Sequence, residues 1–593
     1  MPTEKLLLVG SYNTRSIDGS MALSESQDQQ FLNCTFDVAT NPVTGKATVY
    51  VEKRPGWGLD SVVAAGSAST GLIKPQAFNA TITAFGETNS TIYWGTTSVG
   101  AITGRALYFT ETLISAVSYV VIKSSDGTGW YYVDGAKDVT AYTADGNNST
   151  TITDIKIAGA NSTAGLYPGQ LLAAATNIVA GTRIVSVDSG AFSAVLDTAT
   201  TGGAFADLAI TKTPIAKITD ADFITTGTAI SAFAEMDGYL FYSTDDGYLR
   251  NSDLNSVTAY SALGFVSPSA SPDKPLAVAR QKNVIVVLGG ASKEVFQNAG
   301  LSTAPLVRVA HGFDRIGTIS QRSVTTLEND IFYVSGPAAG DMGVYRIRGI
   351  ESQKISTPSV DRIIGTAALL NAAIYASSFR LGGYPYAAFF ISTALDGIES
   401  YLLLESGDFF LQEDDASNLI LEGTAAQTAS FVRMMVYNAG LGIWSEWDCT
   451  ESTFITGIGA GTGNQIIATS RVETGGKVYR MAPASDGELY QDDGSAYSMV
   501  IRTIRVYHGT NKRKTISEIR LVGDQQESGE ATLEASDDGY QTWYTLGTFD
   551  LTQASPKITR CGSYIGGRAY RLTHSDNAPF RATALEIDYQ AAA

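Results

Sequence analysis

The 593-residue sequence has only three cysteines and three histidines. Cys34, Cys449 and Cys561 lie too far apart to read as a disulfide framework. His311, His508 and His574 form no His-x-x-His pair, so neither a zinc site nor a histidine-based triad is expected, and all three read as structural. Charge is sparse as well: 17% of residues are charged against 44% hydrophobic. That balance excludes a disordered tail or a coiled coil. No apolar run approaches the roughly 18–20 residues of a membrane helix, so stable membrane insertion is not expected. The three-Leu run within Met1–Gly10 is too short for a secretory core, which leads us to expect a soluble protein made in a reducing compartment. Long amphipathic helices, a Gly-x-Ser-x-Gly elbow and a Walker loop are also missing.

What is present is β-structure. Short β-branched and aromatic runs alternate with Gly/Asp/Asn turns, as in Tyr239–Ser243, Thr244-Asp245-Asp246-Gly247 and Tyr248–Asn251. Pairs of this kind are antiparallel hairpins, and they fill the chain from Phe78 to about Pro483. So long a series cannot remain one open sheet, and radial repetition removes the exposed edges. The expected fold is therefore all-β: a β-propeller, for which we expect six blades although the irregular spacing does not itself set the number. A Thr/Ala/Gly-rich stretch breaks the rhythm and reads as an inserted immunoglobulin-like or adhesin-type module at a loop tip. The end of the chain reads as a β-sandwich. The expected division is residues 1–70, an N-terminal extended arm with the first strands; 71–140, propeller blades; 141–212, the inserted module; 213–497, the remaining blades; and 498–593, the sandwich.

Net charge divides the chain differently. Lys+Arg 41 against Asp+Glu 59 gives −18, yet Val500–Ala593 holds 11 of each sign, so the residues before it carry the whole excess. Sequence-specific DNA reading is thereby disfavoured. The neutral end opens on a basic cluster, Arg502, Arg505, Lys512, Arg513, Lys514 and Arg520, which is the candidate docking surface.

Catalytic patterns do not accumulate. Asp245-Asp246, Glu413-Asp414-Asp415, Asp492-Asp493 and Asp537-Asp538 are adjacent acids, mostly in turn contexts, whereas a glycosidase needs two facing acids about 5–10 Å apart. Gly457-Ile-Gly459-Ala-Gly461-Thr-Gly463 precedes a strand-like run, not the helix a phosphate cradle needs, and reads as a hairpin loop. Ser536-Asp-Asp-Gly-Tyr-Gln-Thr-Trp543 resembles a sialidase Asp box, with Tyr540 where that pattern has Gly. Such a box stabilises a hairpin and performs no chemistry. Asn-x-Ser/Thr sites at Asn33, Asn79, Asn89, Asn147, Asn148 and Asn161 are expected by chance in so Ser/Thr-rich a chain. No catalysis and no cofactor are expected.

Gln29-Gln-Phe-Leu-Asn33 and Lys53-Arg54-Pro55-Gly56 are similar to the N-terminus of the tail nozzle proteins of short-tailed phages, a family that includes packaged-DNA stabilisation proteins and tail tubular protein B. Further similar stretches follow in order: Ala279–Asn298, His311-Gly-Phe-Asp-Arg-Ile-Gly317, Asp330–Gly336, Gly343–Ile347 and Ser356–Ile363. Tyr437, Trp444-Ser-Glu-Trp447, Gly476-Lys-Val-Tyr-Arg480 and Ile501-Arg-Thr503 complete the series. The resemblance implies a virion protein of the tail, forming a hexameric ring below the portal and adaptor. It would surround the DNA exit channel, touch viral DNA non-specifically, and carry a needle, tailspikes or fibres. A propeller glycan hydrolase and a glycan-binding fibre are the rival readings.

Overall fold

The computed structural model describes residues 3–9, 29–40, 47–62, 69–73, 85–88, 90–94, 97–114, 117–133, 141–166, 170–172, 175–179, 182–336, 342–369, 372–392, 432–448, 455–460, 466–470, 477–481 and 490–592. Within blades 3 to 5 each strand pairs with its sequence neighbours. Blade 3 runs Ala234–Met236, Tyr239–Ser243, Leu249–Ser252, Tyr260–Val266; blade 4 spans Pro275–Arg308 and blade 5 Val324–Lys354. Their apolar runs are continuous because each blade is covered on both faces. In Tyr239–Ser243, Leu240 and Tyr242 pack toward blade 2 while Tyr239 and Phe241 pack toward blade 4. In Val284–Gly289, Ile285 and Val287 face blade 3, and Val286 and Leu288 face blade 5.

Among the described residues, seven four-stranded units make the ring, not the six expected. Blade 1 holds Ser69–Ile73 to Thr97–Ala101, blade 2 holds Ala106–Ile114 to Gly129–Val133, and blade 6 holds Ala373–Leu381 to Ile443–Trp447. The first strands of successive blades pack side by side, and that of blade 7, Ile455–Ala460, returns to Ser69–Ile73, so the circle closes. Hairpin counting misses the seventh blade because its fourth strand is Trp57–Val62, which pairs antiparallel with Lys477–Met481 from the other end of the chain. The glycine-rich run expected as a hairpin loop over Gly457–Gly463 is strand at its start, since Gly457 and Gly459 pair with Ile466–Ser470; Gly461–Gly463 lie outside the described residues.

The inserted module has its own core, around Tyr142, Ile152, Ile155, Ile184 and Ile210. Its last strand, Ala204–Lys217, pairs with Ala141–Asn147 inside the module and then, through Ile215–Lys217, becomes the fourth strand of blade 2. Arg183 lies 5.4 Å from the Trp130 ring of blade 2, so the module is also held at its base.

Of residues 1–70, expected as an extended arm with the first strands, the described ones include strands that pair with the other end of the chain. Thr3–Leu7 and Ala47–Lys53 pair with Arg581–Ala591, and Gln30–Leu32 pairs with Met499–Arg502. Phe31, Cys34, Phe36 and Val51 are buried with Ile501, Ile519, Leu585 and Ile587 in one core. The sandwich is thus built from both ends of the chain. Its second sheet is continuous with blade 6, because Gln30–Leu32 also runs parallel to Ile443–Trp447.

Candidate functional site

Three of the stretches that carry the family resemblance, Gln29–Asn33, Lys53–Gly56 and Trp444–Trp447, meet where the sandwich joins blades 6 and 7. Arg54 is fully buried, and a buried guanidinium requires a complete set of acceptors. Its two terminal nitrogens donate to Asp492 Oδ1 and Oδ2 at 3.0 and 2.5 Å, and Nε donates to Asn33 Oδ1 at 2.9 Å. The guanidinium lies 4.0 Å from the Tyr497 ring and 5.6 Å from that of Trp447, while the Tyr497 hydroxyl donates to the Arg54 carbonyl. Asn33 adopts φ 55°, a left-handed conformation that asparagine tolerates, and this aims its amide at three segments. Its Oδ1 also accepts from Asp448 N at 2.7 Å, and its Nδ2 donates to Ser498 O at 2.8 Å.

Gly56 is dictated by close approach: a Cβ there would sit 1.9 Å from the Gln491 carbonyl oxygen. Next to Arg54, Lys53 donates to Asp576 O at 2.7 Å, and burial, aided by the Arg54 charge, pulls its ammonium down to about 8. Every donor of this assembly that reaches Asn33, Asp492 or Asp576 joins chain segments, so the centre is a structural hub.

The basic cluster separates. Lys514 is buried, donates to Thr510 O and lies 5.3 Å from the Tyr564 ring; burial lowers its pKa. Arg520 is paired with Glu518 at 2.6 Å and Glu586 at 3.5 Å. Arg505 donates to Gly567 O at 3.1 Å, and Arg502 lies 5.4 Å from the Tyr540 ring. Lys512 and Arg513 are exposed and, among the described residues, have no ion pair. Sequence reasoning missed Arg560, exposed and likewise without an ion pair, because it lies 46 positions after Lys514.

The adjacent acids are engaged in turns and ion pairs. Asp246 holds Arg250 at 2.5 Å, Asp245 accepts from Thr228 N at 2.8 Å, Asp493 meets Lys477 at 3.4 Å, and Asp537 holds the buried Arg568 at 2.7 Å. Glu413, Asp414 and Asp415 lie outside the described residues. Asp538 accepts from Thr542 N and Gln541 N, and the Thr542 hydrogen bonds hold its carboxyl at about 2. Tyr540, the departure from the Asp-box pattern, has φ 73°, the conformation for which the pattern's glycine is suited. In the module, Asp145, Asp154 and Asp207 cluster, with the Lys156 ammonium 2.6 Å from Asp154 and 3.0 Å from Asp207. His574 bonds Glu530 O and Ala578 O, whereas His508 Nδ1 meets Glu4 at 2.5 Å.

Residues 173–380 match the phage family described as Bacteriophage P22 Gp10, beta-propeller. The match starts inside the module, spans blades 3 to 5 and ends in the first strand of blade 6. It marks the chain as a phage structural protein, and the ring of blades is the β-propeller that the family's description gives. No curated protein matches the chain. Among solved structures, the chain is similar to the WD40 beta propeller domain of Doa1 at 8% identity, over 73% of this chain and 98% of that one, with TM-score 0.31. A streptogramin B lyase is 9% identical over 73% and 97%, with TM-score 0.30. Phage phi92 endosialidase is 9% identical over 82% and 70%, with TM-score 0.25.

Proposed function

We propose that this chain is a non-catalytic tail component of the phage particle that assembles as a nozzle ring below the portal and adaptor. Six copies, the number that the resemblance implies, would line or close the DNA exit channel, stabilise the packaged genome and carry needle, spikes or fibres. The observation that carries the reading is the family match over residues 173–380. Geometry supports it. Within one propeller, a cavity of about 410 Å³ lies among the first strands of blades 2 to 5, beside Phe109, Phe233, Val278 and Gln321. A duplex whose major groove alone is about 12 Å wide does not thread that space. On this reading the conduit forms between copies, and a rigid, closed β-body is suited to bounding it. An excess of acid would let phosphates slide without the counterion release that basic walls produce.

Quantitative protein mass spectrometry of purified virions tests the proposal. It expects about half as many copies as portal subunits, and a chain absent from particles would refute it. Incubation with capsular or lipopolysaccharide glycans tests the non-catalytic part, where turnover abolished by one Asp or Glu substitution would overturn it.

A further inference from the structure

Two surfaces, one at an end of the sandwich and one on blade 3, match each other in charge and apolarity. The first is at one end of the sandwich. Lys514 and Thr515 pair with Tyr564 and Ser563, and Gly566 N donates to Asn511 O at 3.4 Å, so the Gly509–Arg513 and Arg560–Gly566 loops lie side by side. They present Lys512, Arg513 and Arg560, all exposed and free of ion pairs among the described residues, around Ile565, which is 67% exposed. An isoleucine so exposed among uncompensated cations is a feature of a contact surface more than of a solvated one.

The second surface is the outer edge of blade 3. Ile218–Pro272 holds seven Asp/Glu and one Arg; Glu235, on the inner strand, pairs with Arg280 and Asp246 with the buried Arg250, which leaves Asp220, Asp222, Asp237, Asp245 and Asp253 without an ion pair among the described residues. Asp222 Oδ2 accepts from Ala262 N at 2.9 Å, which seats the Ala221–Thr225 helix on the outermost strand. Ile224 (59% exposed) and Leu263 (72%) then stand on an edge that also carries the exposed Asp253.

Placement completes the match. The sandwich is joined to blade 6, and in a closed ring of seven blades, blade 3 lies three steps away one way and four the other. We propose that the two surfaces bind each other between copies: the Lys512/Arg513/Arg560/Ile565 end of one chain sits on the acidic blade 3 edge of the next. Two different surfaces of one subunit make a head-to-tail contact, which closes into a ring when the rotation per copy permits. The opposite charges orient the encounter, and Ile565 against Ile224 and Leu263 supplies apolar burial. The inference rests on the ring reading above and names the contact that builds it.

Sedimentation of the full chain tests it with Ile565→Asp, Leu263→Asp and their equimolar mixture, at a concentration where the wild type is assembled. Each variant loses one surface and keeps the other. Each alone should be monomeric, with association weakened roughly tenfold or more, and the mixture should form dimers and nothing larger. A variant that assembles like the wild type, or a mixture that stays monomeric, overturns the inference while leaving the ring reading intact. A wild type monomeric at every concentration overturns both. Should either variant fail to keep the wild-type melting midpoint, Arg513→Glu and Asp253→Lys replace the pair. Each should weaken assembly, more so at low salt, and mixing Arg513→Glu with Asp253→Lys should restore it; no restoration is a refutation.

Discussion

In blades 3, 4 and 5 each strand finds its partner a turn away, as Tyr333 finds Tyr345. In the sandwich Leu6 pairs with Leu585 and Phe31 with Ile501, so its N-terminal strands find these partners only when the two ends of the chain meet. Two of their ion pairs differ in the same way. The blade pair Arg250–Asp246 is local, four residues apart, and its carboxylate is partly exposed. The sandwich pins distant segments with buried guanidiniums: Arg54 on Asn33 and Asp492, Arg568 on Asp537, and the half-buried Arg581 on Asp37, Glu52 and Asp524 at once. Local closure tolerates loss of one contact, whereas a long-range assembly depends on its few specific pins.

The largest effect should come from removing residues 1–62, which takes four strands from the sandwich and the closing strand from blade 7. The remaining chain should be insoluble or lack a cooperative melting transition. A soluble fragment with a sharp transition would show that the propeller closes unaided.

Next is Arg54→Met, which leaves Asp492 buried without its partner and should cost about 3–5 kcal/mol in denaturant titration. Adding Asp492→Leu should recover much of that loss, since the desolvated charge is gone as well. Arg250→Met in the propeller should cost about 1 kcal/mol, because Asp246 can turn to water. Equal losses at the two sites would erase the distinction between the regions.

The pH dependence should be common to both. Burial pulls Lys53 in the sandwich and Lys123 in blade 2 down to about 8, so between about 8 and their unfolded value the unfolded chain binds more protons and stability rises with pH. Burial pushes Tyr386 up to about 12 and raises Tyr242 and Tyr497, so above the unfolded tyrosine value the folded chain binds more protons and stability falls. Chemical denaturation from pH 7 to 11 should show a maximum near 9–10, flattened on its alkaline approach by Lys53→Met and Lys123→Met together.

Much of this was legible in advance where partners are close in sequence. The hairpin of Tyr239–Ser243 and the hub residues Asn33, Arg54 and Trp447 were all within stretches singled out from the sequence. Their meeting was not, because pairing across more than 400 residues leaves no local periodicity: Phe31 and Ile501 read as strand residues without naming each other. Charge counting failed similarly at Lys514 and Arg520, since composition does not distinguish a buried or paired cation from a free one.

The smallest effect is expected from deleting residues 141–212, which spares the Trp130–Lys217, Tyr131–Ala216 and Tyr132–Ile215 pairs. With a short Gly/Ser linker, the melting midpoint should stay within about 2–4 °C. Collapse of the body would show that Arg183 on Trp130 and the module core are integral to blade 2.

The strand Trp57–Val62 has one further consequence, set by the direction of synthesis. It leaves the ribosome more than 400 residues before Lys477–Met481, the strand it must join. At 5–20 residues per second that is an interval of roughly 20–80 s in which the strand has an open edge and no partner of its own. Copies translated from the same message offer one another equivalent seventh blades, so strand exchange between nascent chains is the natural error of production. Conditions that spread ribosomes apart on the message should reduce that exchange.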